Sequence, residues 1–149
     1  MDLTIEQALQ RGIEAHKAGQ LQEAERLYRL ILQKVPKHPD ANHNLGVLAV
    51  SVNKADVALP LFKVALEANP KQGQFWISYI ETLIKEKQFD NAKHVLEQGK
   101  QLGLAGERVE VLSQELVRGT QGQRNQSHEK SQSATLAEDH KRVSVETER

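Results

Sequence analysis

The chain has 149 residues, which is enough for one domain of ordinary size with a tail. Its 20 basic and 20 acidic residues cancel, so no overall field attracts the protein to nucleic acid or to an anionic membrane surface. Cysteine is absent, which excludes disulfides, thiolate metal sites and thiol catalysis.

The N-terminal residues lack both a basic cluster and an apolar run, so the pattern does not predict a secretory signal. No stretch approaches the roughly 18 apolar residues that a membrane span requires. We therefore expect a cytoplasmic protein that does not bind membranes.

The first predicted elements are two helices separated by a glycine. Apolar residues recur at steps of three and four from Thr4 onwards, and Thr4 with Gln7 has the spacing of a capping box. Gly19 suits the left-handed residue that ends a helix. A second helix is predicted over 21–34, closed by Pro36.

The same pair of helices is predicted twice more along the chain. A helix beginning at Pro39 or Asp40 is followed by one that ends near residue 69, and the next pair covers 73–85 and 89–101. Pro60 would lie inside the fourth helix, where a proline costs roughly 3 kcal/mol. We therefore expect that helix to begin late, near Asp56, or to be kinked.

These pairs form a repeat of 34 residues, which is the strongest feature of the sequence. Small residues keep the interval at Gly12 and Gly46, and bulky or apolar residues keep it at several other positions. The further positions that share the interval are Ala24, Ala58 and Ala92; Tyr28, Phe62 and Leu96; Leu27, Leu61 and Val95; Pro36 and Pro70. A period of about 34 residues is the length of one helix–turn–helix unit.

The repeated residues resemble the signature of the tetratricopeptide repeat family, and the match covers about residues 5–106. The second unit matches best, through Leu45-Gly46, Ala49, Ala58, Phe62, Ala65 and Pro70. The first unit keeps Gly12, Ala15, Ala24, Tyr28 and Pro36, whereas the third has Ile80 in place of glycine and Leu104 in place of proline.

The resemblance implies an all-α fold, a right-handed α-solenoid of three helix–turn–helix units with a C-terminal capping helix. Each unit would contribute a first helix (A) and a second helix (B). The repeats are expected at about 5–38, 39–72 and 73–106, with the cap at 107–118 ended by Gly119. Together they would form a repeat domain over 1–118, followed by a polar tail over 119–149 that we expect to be disordered.

In this family the A helices line a concave groove, and the resemblance assigns thirteen residues of this chain to it. They are Leu9, Ile13, His16 and Lys17 in the first unit; His43, Asn44, Val47 and Val50 in the second; and Ile77, Ser78, Glu81, Ile84 and Lys85 in the third. Asn44 and His43 would be the polar contacts of a ligand. Ile13, Val47, Val50, Ile77 and Ile84 would form the apolar floor, as suits an extended segment or an amphipathic helix.

The sequence contains no recognisable catalytic motif, and we expect neither an enzyme nor a cofactor or metal site. There is no glycine-rich phosphate loop, nucleophile elbow or zinc-binding histidine pair. The six histidines are scattered, and we expect them at the surface. Trp76 occupies a packing position of the family pattern, so we expect it in the core.

We therefore predict an adaptor that binds a protein or peptide and no nucleic acid. Chaperone-type clamps for a C-terminal carboxylate are disfavoured, because they need Lys and Asn where this chain has Leu9 and Ile13. Asn44 is similar to an asparagine in the repeats of protein O-linked sugar transferases, although Gln10 and Ser78 occupy the equivalent places.

Two alternatives remain open. Similar repeats precede sulfotransferase and methyltransferase domains in bacterial proteins. The first alternative is therefore a substrate-recruiting segment of a larger or separately encoded transferase, of the glycosyl-, sulfo- or methyltransferase type. The second is a self-assembling scaffold, with weak self-association between the ends of neighbouring arrays.

Overall fold

The computed structural model describes residues 2–123, and this part of the chain contains helices, turns and loops but no strand. The helices in chain order are α1 (Ile5–Lys17), α2 (Leu21–Lys34), α3 (Pro39–Ser51), α4 (Ala55–Ala68), α5 (Gly73–Lys85) and α6 (Phe89–Gln101). They are followed by α7, which runs from 107 to the last described residue, 123. Among the described residues, no helix is both long enough and apolar enough to cross a bilayer.

The helices confirm the predicted repeat. The A helices α1, α3 and α5 begin at residues 5, 39 and 73, and α7 begins at 107, one further period along the chain. Each A helix packs against its own B helix, and each B helix packs against the next A helix. The result is an all-α solenoid. Neighbouring A helices also contact one another, whereas the B helices do not, so the A helices lie on the inner, more crowded side.

The three A–B turns have the same backbone conformation. Gly19, Asn53 and Lys87 stand one repeat apart, and all three have positive φ, at 77°, 62° and 59°. In each turn the following amide donates to a carbonyl five residues earlier, the pattern of a Schellman motif that satisfies the end of the A helix. The capping box of Thr4 and Gln7 is also present at the start of α1.

Glycines let the A and B helices approach closely. A Cβ at Gly12 would lie 2.6 Å from the Tyr28 ring, and a Cβ at Gly46 would lie 2.5 Å from the Phe62 ring. In the third unit, the equivalent residues are Ile80 and Leu96, and both are buried in one core cluster. A larger residue on the A helix is thus matched by a smaller one on the B helix, which explains the departure from the family pattern.

The loops between units are tied to the next A helix by side-chain donors. Asn42 Nδ2 donates to the Pro36 carbonyl at 3.1 Å, and Trp76 Nε1 donates to the Pro70 carbonyl at 2.7 Å. The two donors stand 34 residues apart, as do the two prolines. Different side chains therefore make the same connection. Trp76 is buried, which confirms that it belongs to the core.

The fourth helix, α4, contains Pro60 and is a single helix that begins at Ala55, within one residue of the predicted start. Pro60 lacks the N–H that would bond to the carbonyl of Asp56. Both residues are exposed, so water can reach the carbonyl that is left without an intrahelical donor.

The prediction that Gly119 ends the capping helix is wrong, because α7 continues through it to 123. A Cβ at this position would lie within 3 Å of three atoms of the Phe89 ring. Gly119 is therefore a close-packing glycine of the same kind as Gly12 and Gly46. The rest of the predicted tail, residues 124–149, lies outside the described residues.

Candidate functional site

Six aliphatic side chains of the predicted groove, two from each A helix, are partly exposed. α1 supplies Leu9 and Ile13, α3 supplies Val47 and Val50, and α5 supplies Ile77 and Ile84. Most of them rest on core clusters while part of each side chain stays accessible. We call these six residues the groove floor. Lys17 and Lys85 are exposed, and His16 is partly exposed.

The groove floor extends further than the sequence indicated. Val111 on α7 stands one repeat after Ile77 and is 37% exposed. The 34-residue spacing could have identified it, because α7 begins in register with the other A helices. Val111 thus continues on α7 the register of Ile77 on α5.

An ion pair joins α5 to α7 beside the groove floor. Arg108 Nε donates to Glu81 Oε1 at 2.7 Å, and this hydrogen bond holds the pKa of the Arg108 guanidinium above its ordinary value. Glu115, two helical turns further along α7, also acts electrostatically on Arg108. Glu81 is thus engaged with the cap and is not a free anion in the groove.

Two of the predicted groove residues are buried between the second and third units. His43 is 8% exposed and Ser78 is 7% exposed, so the expectation that every histidine lies at the surface is wrong for His43. His43 Nε2 lies 2.7 Å from Ser78 Oγ, and the imidazole packs on the rings of Phe62 and Phe75. Burial lowers the pKa of His43, which favours the neutral ring.

Asn44, the other predicted polar contact, is partly exposed. Its Oδ1 lies 3.4 Å from His43 Nδ1, and its Nδ2 makes no hydrogen bond to another described residue. Asn44 is one helical turn from Val47 on the same helix, so its amide lies beside the groove floor. Within the described residues, the Asn44 amide nitrogen is thus left without a protein hydrogen-bond partner.

Two clefts in the described part of the chain lie elsewhere, on the outer side formed by the B helices. One has a volume of about 540 Å³ between α4 and α6, with Trp76 and Tyr79 at its base. The other, of about 360 Å³, lies between α6 and α7 beside Leu96 and Leu116. None of the predicted groove residues lines either cleft. The groove is therefore an open surface, and the sequence did not predict the outer clefts.

The described residues hold no group of three or more His, Asp or Glu side chains arranged to bind a metal ion. The polar chemistry of the inner face consists of the Asn44 amide, the Glu81–Arg108 pair and the basic residues at the ends of α1 and α5. Such a surface can bind a chain segment through apolar contact and hydrogen bonds.

Comparison with known proteins supports the fold. No protein-family model and no curated protein sequence matches the chain. Among solved structures, the TPR domain of P58(IPK) is similar, with 19% identity and a TM-score of 0.71, over 83% of this chain and 34% of that chain. The first TPR of Spaghetti (RPAP3), solved with an HSP90 peptide, has 18% identity and a TM-score of 0.66, over 77% of this chain and 89% of that one.

A third similar structure is an O-GlcNAc transferase from Thermobaculum terrenum. It has 22% identity and a TM-score of 0.60, and the match covers 69% of this chain and 21% of that chain. The chain therefore spans about a third or less of two of these proteins. The similarities show that its fold is that of tetratricopeptide repeats, as the 34-residue pattern predicted.

Proposed function

We propose that this tetratricopeptide-repeat chain is an adaptor that binds a protein or peptide segment along the inner face of its A helices. The observation that supports the proposal is the groove floor, six aliphatic side chains on three A helices that remain partly exposed. Exposed apolar side chains that form a contiguous patch on a folded chain are typical of an interaction site.

The kind of ligand follows from the shape and chemistry of the face. It is open and has few polar groups, which fits an extended segment or an amphipathic helix better than a small molecule. One similar structure was solved with a bound peptide, which supports the same class of ligand. Three A helices and a cap offer a short surface, so we expect a dissociation constant of roughly 1 μM, about −8 kcal/mol.

The test uses the full chain and a pair of matched variants. Ile77→Glu places a charge on the groove floor, whereas Val57→Glu places the same charge on the outer face of α4, where Val57 is 39% exposed. Partners captured by the wild-type chain are identified, purified and titrated against all three proteins. We expect Ile77→Glu to weaken binding by tenfold or more and Val57→Glu to leave it unchanged.

Loss of binding in Val57→Glu together with unchanged binding in Ile77→Glu would contradict the proposal and assign recognition to the outer side. Circular dichroism spectra of both variants control for misfolding. Because the two substitutions introduce the same charge on different helices, a general destabilising effect of the charge would reduce binding equally in both variants.

A second candidate function is recruitment of substrate to a transferase. It is favoured by the open Asn44 amide at the centre of the groove and by the similarity to a transferase that carries such repeats. The full chain would then bind the acceptor protein of a transferase that is supplied separately. An assay with reconstituted enzyme should show faster modification when the wild-type chain is present than when Asn44→Ala is present.

The residues of α7 argue against self-assembly through the C-terminal end of the array. In the third unit, the face of α5 that packs against its B helix carries Trp76, Ile80 and Leu83. The equivalent residues of α7 are Glu110, Gln114 and Val117, so the corresponding face is largely polar. A polar outer face is how repeat arrays end. We expect a sedimentation coefficient that does not change with concentration.

A further inference from the structure

A buried histidine, His43, lies between the second and third units. His43 on α3 joins three polar side chains in a row, with Ser78 Oγ at 2.7 Å from Nε2 and Asn44 Oδ1 at 3.4 Å from Nδ1. Gln74 Nε2 also donates to Ser78 Oγ, at 3.2 Å. The chain of contacts thus crosses from α5 to α3 and ends at the partly exposed amide of Asn44.

A neutral imidazole has one donor and one acceptor nitrogen, so this chain of hydrogen bonds can run in only two directions. In the first, the Ser78 hydroxyl donates to Nε2 and Nδ1–H donates to the Asn44 carbonyl oxygen. In the second, Nε2–H donates to Ser78, and the Asn44 amide is rotated so that it donates to Nδ1.

The Ser78 hydroxyl decides between the two directions. With the Gln74 amide as the structure places it, in the second direction Ser78 would accept from both Gln74 and His43, and its own proton would have no acceptor among the described residues. The second direction therefore requires the Gln74 amide to turn over as well as the Asn44 amide. A buried donor left unpaired costs about 1–3 kcal/mol. Unlike Ser51, Thr82, Ser113 and Thr120, Ser78 makes no hydroxyl bond to a helix carbonyl that could relieve this cost. The first direction satisfies every group with both amides in the orientations that the structure gives them.

We infer that His43 and Ser78 are positioning residues that hold the Asn44 amide with its carbonyl turned inward and its two N–H donors turned to the groove. The inference rests on the proposed function in one respect, that the inner face binds a ligand. It then specifies the chemistry recognised at the groove centre. A main-chain carbonyl oxygen of a bound segment fits there, and a ligand donor does not.

The residues around the ring are consistent with this assignment. Phe62 from α4 and Phe75 from α5 enclose the imidazole, with centroids at 5.5 Å and 4.7 Å. The charged group that acts on His43 is Asp40, one turn earlier on α3. Burial outweighs its effect and lowers the pKa of His43, so the neutral ring required by the argument is the form present near neutral pH.

The first test reads the tautomer directly, without any ligand. Nitrogen-15 NMR of the histidine rings at pH 8 distinguishes a protonated from an unprotonated ring nitrogen. We expect the proton of His43 on Nδ1. His38 supplies an internal reference of the opposite kind, because its Nδ1 accepts from the Ala41 amide at 3.1 Å and its proton must therefore be on Nε2. A His43 proton on Nε2 would overturn the inference.

Ser78→Ala separates positioning from packing. Alanine keeps the helix and the small volume but removes the hydroxyl that donates to Nε2. We expect the preference for Nδ1–H to be lost and the side-chain amide signals of Asn44 to shift, with the backbone spectrum of α1 unchanged. If the variant keeps the Nδ1–H form, Ser78 does not position the ring and the inference fails.

The second test examines the exposed donors with a probe that carries a peptide-like carbonyl and no N–H group, N,N-dimethylacetamide. We expect it to shift the Asn44 amide protons of the wild-type chain, and to do so at least twofold less in Ser78→Ala. Equal shifts in both proteins would contradict the assignment. Neither test needs the natural partner. Failure of peptide binding to the groove can therefore be distinguished from failure of the Asn44 assignment.

Discussion

The contact between Gly46 and the Phe62 ring permits a quantitative test of how the A and B helices fit. A Cβ at residue 46 would lie 2.5 Å and 2.8 Å from two ring carbons, whereas ordinary contact is 3.4–4 Å. Phe62 is buried against Ala49 and Ala58. The ring would have to move by about 1 Å in a filled space, which is the situation in which overpacking destabilises a protein.

The perturbation is Gly46→Ile combined with Phe62→Leu, which installs in the second unit the pair that the third unit has at Ile80 and Leu96. Alone, Gly46→Ile should cost about 3 kcal/mol from overpacking, reduced by a few tenths because isoleucine is the better helix former. Phe62→Leu alone should cost about 1 kcal/mol through lost burial and a small cavity. The double variant should cost at least 2 kcal/mol less than the sum.

The assay is urea unfolding followed by far-UV circular dichroism for all four proteins. If Gly46→Ile alone is unfolded, recovery of the helical signal in the double variant provides the same information. Gly122→Ala is a control for helix propensity, because nothing lies within 4 Å of a Cβ at that position. Costs that add to within about 0.5 kcal/mol would refute the size-matching explanation.

Three further predictions concern the turns, the loops and the buried histidine. Lys87 has φ 59° where the first unit has Gly19, so Lys87→Gly should raise the free energy of unfolding by about 1 kcal/mol; a lower value would contradict the turn assignment. Trp76→Phe removes the donor to the Pro70 carbonyl and should cost about 1–3 kcal/mol in the same urea assay, and no loss would mean that the bond is not stabilising. Burial lowers the pKa of His43, so the unfolded chain binds a proton first and stability should fall as the pH drops below the ordinary value of 6.5. His43→Phe should therefore show a shallower loss of stability with acid than the wild type, and an equal slope would exclude His43 as the cause.

The helices and their order could be predicted from the sequence because the 34-residue interval repeats both the small residues and the helix stops. Gly19, Pro36 and Pro70 mark ends that the structure confirms within one or two residues. Local backbone chemistry determines such boundaries, so a single sequence contains the information.

The environment of His43 could not be predicted, because it depends on three residues from two other helices, namely Phe62, Phe75 and Ser78. Neither Phe75 nor Ser78 is close to His43 in sequence, and a lone histidine on an A helix has no spacing signal. Gly119 was misread for a related reason. Glycine after an apolar helix predicts a C-cap, and only the position of the Phe89 ring shows that it packs tightly inside α7 instead.

The apolar core is distributed unevenly along the array, and this has a consequence for cooperativity. The largest cluster joins α4, α5, α6 and α7, whereas α1 contacts only α2 and α3 among the helices α1–α6. In a chain of nearest-neighbour interfaces, the end with fewer of them opens first. Warming should therefore release the first unit while the rest stays folded. A ligand segment bound along the A helices would then lose its contacts with α1 before those with α3 and α5. Its affinity would therefore decline gradually with temperature.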